Sequence, residues 1–191
     1  MRSFLVALLL ASIVYAQKSP EPDLFRRSPV WRIAIPVFRG SGTAQNVMQM
    51  LDLRLTSDMK RSGLVDVIPK GLLPLNIPQQ PGDLHDSPND AKFRSSRSPD
   101  HGLVLSDWSY PPVSAQYLVI GYSAVVRNDL VVYAWMFDLS HESVNQPQML
   151  EKRYTGSLDE AGARSVADQF ASDILRKILL QKSAHHGGVS L

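Results

Sequence analysis

Residues whose types and spacing could do chemistry fall in three places in this 191-residue chain. Gly40-Ser41-Gly42-Thr43 lies between an apolar run and an amphipathic run. At such a joint, backbone N–H groups opening a helix can hold an anion. A dinucleotide fingerprint would need a third glycine where Gln45 stands, and no Gly-Lys-Ser/Thr triplet completes a phosphate loop. Two readings stand for these four residues: a turn that serves geometry, and an anion- or small-ligand-binding turn. His85, Asp86, Asp90, Asp100 and His101 form the second group. Their side chains suit a metal, but zinc needs fixed spacing on a rigid scaffold. The stretch around them has no core-forming run, so a solvated loop is expected there and no metal site is assigned. His185-His186 is read the same way. The third group is the pair of single carboxylates Asp138 and Asp159. Asp159 suits the positive end of a helix. There is no Gly-x-Ser-x-Gly elbow. No catalytic residue and no cofactor is therefore assigned, and the chain is read as a non-enzyme. Trp108, Tyr133 and Trp135 read as core or interface rather than as a sugar platform.

Composition bounds the remaining choices. The chain is 44% hydrophobic and 20% charged, enough apolar material for a core. It has no cysteine, which excludes disulfides, thiolate metal sites and cysteine nucleophiles together. Twenty Lys and Arg against eighteen Asp and Glu leave a formal charge of +2. Nucleic acid is not expected as a partner, because binding phosphates needs a concentrated basic face.

These residues must be positioned by a short series of elements. Residues 1–16 read as a secretory signal: Arg2, an apolar Phe4–Val14 run, and a cleavage site after Ala16. That places the chain outside the cytoplasm. No later stretch is long and apolar enough to span a bilayer, so membrane contact is expected to be peripheral at most. Residues 17–30 form an extended, proline-bearing leader. Trp31–Phe38 predicts a strand weakened by Pro36, which cannot donate to a ladder. Val47, Leu51, Leu55 and Met59 predict a helix over Thr43–Arg61, ended at Ser62-Gly63. Leu64–Ile68 predicts a second strand, so the first three elements make a parallel crossover. Pro69–Pro112 is the least regular part, with residues 79–101 expected as a mobile insertion. Tyr117–Val126 and Leu130–Leu139 predict paired strands around an Arg127-Asn128-Asp129 turn. Both faces of the second are largely apolar, so it either sits mid-sheet with cover on both sides or spans an edge of the core. Met149–Thr155 predicts a last strand. Ser157-Leu158-Asp159-Glu160 reads as a capping box opening a helix that runs to about residue 182; residues 183–191 have no core pattern. The expected class is α/β in the α+β sense: a mixed sheet of about five strands packed with two long amphipathic helices.

In order, Arg32–Phe38, Leu53–Leu64, Asp107-Trp108, Ala115–Gly121, Met136–Leu139 and Val166–Ile174 resemble segments of the amino-terminal domain of the TolB family. The resemblance covers residues 31–182. It implies a small mixed sheet with two helices and a non-catalytic periplasmic role in the Tol-Pal system. That role maintains cell-envelope integrity and serves Tol-dependent protein import. TolB proteins join such a domain to a β-propeller that docks Pal, while their extreme amino terminus contacts TolA. No propeller segment follows residue 182 in this sequence. Expected partners are therefore envelope proteins such as TolA, with Pal or a separately encoded propeller next. Within the leader, Leu24, Phe25, Val30 and Trp31 supply the apolar anchors for docking.

Overall fold

A computed structural model describes residues 31–85, 95–140 and 147–186. Leu24, Phe25, Val30, Asp86 and Asp90 lie outside the described residues. So do the predicted signal, the rest of the predicted leader and residues 187–191.

The described chain runs β1 (Trp31–Ala34), β2 (Arg39–Gly40), α1 (Met48–Arg61), β3 (Val65–Val67), α2 (Ser106–Ser109), β4 (Tyr117–Val126), β5 (Asp129–Asp138), β6 (Gln148–Ser157) and α3 (Glu160–His186). One mixed sheet has the order β3-β1-β4-β5-β6, with β2 also paired to β4. β1 is parallel to β3 and to β4, and β4, β5 and β6 are antiparallel neighbours. The hairpin turn joining β4 to β5 places Arg127 at φ 52° and Asn128 at φ 72°. Positive φ at both central residues is what a two-residue hairpin with the twist of its strands requires.

The first strand is shorter than its apolar run. It stops at Ala34, and the chain rejoins β4 only at Arg39 and Gly40. Between those two pairings this strand carries one residue more than β4 does, and Pro36, without an N–H, sits in the gap. The predicted continuous strand through Phe38 is thus two short ones around a bulge-like break. Ile35 and Phe38 still point into the core.

Both long helices lie on one face. Leu51, Leu55 and Met59 of α1 and Val166, Phe170, Ile174 and Ile178 of α3 meet Ile33, Val119, Val132 and Met136 of the sheet. The predicted stripe of α1 is the buried one. Its beginning differs, because Gly42–Val47 winds as a 3₁₀-helix before the α-helix starts at Met48. α3 also starts differently from the predicted capping box. Asp159, not Ser157, caps it, accepting the Gly162 N–H at 2.7 Å and the Ser157 hydroxyl at 2.8 Å. Those bonds hold the Asp159 carboxyl below the usual range, the Gly162 amide contributing most. Gly162 must be glycine, since a Cβ there would overlap the Ser157 backbone.

The opposite face of the sheet is covered by the irregular described stretches 68–85 and 95–115. Trp108, fully buried, packs with Ile68, Val113, Leu118, Ile120 and Phe137. Its indole N–H donates to the Gly102 carbonyl at 2.9 Å. The described flanks of the predicted insertion are tied in: the His85 N–H donates to the Leu103 carbonyl at 2.8 Å, and Leu84 packs on the Trp108 cluster. β5 is therefore covered on both faces.

Candidate functional site

The glycine turn is assembled by β2 and the 3₁₀ entry to α1. Gly40 has no room for a side chain, because a Cβ would meet the backbone of Ala44 and Gln45. Gly42 takes φ +58°, a left-handed conformation that favours glycine. The donors of this turn are largely taken. Gly40 N–H donates to Gln45 Oε1 at 2.8 Å, Ser41 N–H to the Ser123 carbonyl at 2.8 Å, and Ala44 N–H to the Ser41 carbonyl at 3.2 Å. Gly42 and Thr43 keep amides with no acceptor among the described residues, at the start of a 3₁₀ segment. The geometry serves the bend from sheet to helix and offers an anion little beyond two amides.

Trp31 opens β1 where the leader meets the domain. It is half-buried against the main core, and its N–H reaches the Leu64 carbonyl at 3.4 Å. Trp31 therefore stands one strand in from the β3 edge of the sheet.

The buried carboxylates are committed to architecture. Asp173 of α3, 5% exposed, accepts Lys152 Nζ at 2.6 Å and the Tyr154 hydroxyl at 2.9 Å, and pairs with Arg176. Burial pushes its carboxyl up, but the Lys152 and Tyr154 bonds outweigh burial, and the net direction is down. Burial raises the Tyr154 phenol, with the Asp173 bond second. Asp138 at the end of β5 accepts Gln181 of α3 and the Ser140 N–H at 2.8 Å. Tyr117 donates to Gln181 Oε1 at 2.9 Å, and burial, helped by Asp138, pushes its phenol up to about 12. Two polar ties thus clamp α3 to the sheet at separate levels. Of these residues only Asp138 stands out in the sequence; Asp173 and Gln181 look like ordinary polar positions of a helix.

The loop group separates. His85 and Asp100 are exposed. His101 turns to buried Asp107, with Nδ1 3.4 Å from Oδ1, an ion-pair distance without hydrogen-bond alignment. Asp107 also accepts the Gly102 N–H at 2.7 Å. Among the described residues no three His, Asp or Glu side chains converge as metal ligands. Beside His101 opens a cavity of about 580 Å³ lined by Leu72, Leu73, Asn76, Arg97 and Val113 among others. Asn76 is occupied there, donating to the Pro99 and His101 carbonyls at 2.8 and 3.0 Å. The aromatic residues stack on one another, Tyr122 on Tyr133 at 5.0 Å and on Trp135 at 6.0 Å between centroids. These stacked rings pack against one another across β4 and β5.

No family model matches the chain, and no curated protein matches it in sequence. Solved structures share its outline at low identity. TolB from Acinetobacter baumannii aligns over 79% of this chain at 15% identity, with TM-score 0.49. This chain spans about 29% of that TolB chain. A PelC dodecamer from Paraburkholderia phytofirmans aligns over 73% of this chain and 84% of its own at 13% identity, TM-score 0.41. A hypothetical protein from Chlamydia trachomatis aligns over 78% of this chain and 95% of its own at 15% identity, TM-score 0.41. No helix among the described residues is long and apolar enough to cross a membrane.

Proposed function

We propose that the chain is a non-catalytic adaptor of the periplasm, of the Tol-Pal type, that works by docking other envelope proteins. One observation carries this reading: the buried and capping carboxylates are spent on internal ties. Asp173 and Asp138 clamp α3, Asp159 caps it, and Asp107 braces the second layer. What remains to act on a partner is surface and the leader, which enters the sheet at Trp31. The order of TolB-like segments in the sequence supports the same role. In this reading TolA is the first partner, engaged by Leu24, Phe25, Val30 and the rim around Trp31. Pal or a separately encoded propeller is the second.

The test is a crosslinking pull-down from intact cell envelopes, with the chain and a variant lacking residues 17–29 as baits. Recovery of TolA by the first and not by the second, with both folded by circular dichroism, is the expected result. Equal recovery by both would remove the leader from the account. Recovery of none of TolA, Pal and a propeller protein would overturn the reading.

A further inference from the structure

β6 ends the sheet, and no strand among the described residues pairs with its outer side. A strand of ten residues with one free row of N–H and C=O groups is a template for another strand. Its sequence says which strand fits. Glu151 and Arg153 are exposed and share the face away from the long helices, opposite Trp135 and Tyr133 of β5. Arg153 has no partner among the described residues, and Glu151 holds only the Gln148 amide, at 3.0 Å.

We infer that β6 pairs antiparallel with β6 of a second copy of this chain about a two-fold axis at Lys152. A two-fold normal to the sheet keeps each face on its own side, so only residues sharing a face can stand opposite one another. Three central registers satisfy this. Centring on Glu151 sets Glu151 against itself, and centring on Arg153 sets Arg153 against itself. Centring on Lys152 sets Glu151 opposite the second copy's Arg153 and Arg153 opposite its Glu151, two ion pairs for one contact. The same register sets Leu150 against Tyr154 on the helix-covered face. The two Lys152 ammonium groups approach there, each already paired with its own Asp173 at 2.6 Å. The register irregularity opposite Met136 and Phe137 bounds the pairable stretch at Leu150. The charges Glu151, Lys152 and Arg153 reject apolar strands in general and admit this register in particular. This inference does not depend on the adaptor role.

The test is sedimentation equilibrium on the full chain, Glu151→Arg, Arg153→Glu, their equimolar mixture and the double variant. Both positions are exposed, and circular dichroism checks that each variant folds. The wild type should self-associate, and each single variant should do so at least about tenfold more weakly, since both cross-strand pairs become like-charged. The mixture should recover association as a heterodimer, and the double variant should recover it alone. A monomeric wild type at every concentration would overturn the inference. So would association that the single variants leave unchanged, or single variants that fail to recombine on mixing.

Discussion

Replacing Asp173 by asparagine probes how α3 is held to β6. The wild-type carboxylate is buried at 5% exposure and takes a charged bond from Lys152 at 2.6 Å and a phenolic one from Tyr154 at 2.9 Å. Lys152 and Tyr154 share one carboxylate oxygen and Arg176 takes the other. An asparagine that keeps its oxygen for Lys152 and Tyr154 turns its amide donor toward Arg176 and offers all three a neutral acceptor or none. Bonds to charged groups are worth roughly 1.5–3 kcal/mol each. The Lys152 and Arg176 side chains are 45% and 66% exposed, so both can turn to water and their share is discounted. The expected loss is about 2 kcal/mol, mostly from replacing the buried charged oxygen that Lys152 and Tyr154 share by a neutral one. For a domain of this size that lowers Tm by about 4–8 °C. Tyr154→Phe, which leaves Asp173 its cations, should cost about 1 kcal/mol. The pH dependence has a definite sign. The folded carboxyl lies below its unfolded value, so its contribution is present above about pH 4 and is lost as pH falls through the lowered folded value. Urea unfolding followed by circular dichroism should therefore show the wild type and Asp173→Asn separated at neutral pH and converging in strong acid. A difference under about 0.5 kcal/mol at pH 7, or one that persists unchanged into strong acid, would refute the clamp.

Three further outcomes follow from particular contacts. Trp108→Ala removes the anchor of the second layer and should cost about 3–5 kcal/mol by urea unfolding. Gly102→Ala should destabilise by more than about 2 kcal/mol, because φ is +100° and a Cβ would overlap the Asn76 carbonyl. A thermal-shift series with inorganic phosphate and nucleotides should be flat, because the Gly40 and Ser41 amides are already bonded within the chain; a ligand-dependent rise would restore the anion-binding reading of Gly40–Thr43.

Periodic elements were the legible part of this fold. The 51/55/59 stripe of α1 and the two-faced apolar pattern of β5 each point to the surfaces they bury, because a regular backbone turns spacing into direction. The layer built by residues 68–85 and 95–115 has no such period. It is fixed by single anchors such as Trp108 and by bonds like Gly102 to Asp107, so its core role is not written in local pattern. The break after Ala34 is signalled by Pro36, but how far the strand is interrupted depends on β4 beside it. The start of α3 shifts for a similar reason: Ser157 and Asp159 both suit a cap, and the end of β6 claims Ser157. The polar clamps were least legible. Asp173 and Gln181 act only because Tyr154 and Asp138 face them across the helix–sheet interface, long-range pairings that spacing does not encode.

The adaptor account is tested most directly by titrating the purified periplasmic part of TolA into the chain in a calorimeter. The account predicts saturable binding that disappears when residues 17–29 are removed while the domain keeps its circular dichroism spectrum. A flat titration with the folded, leader-bearing chain would contradict it.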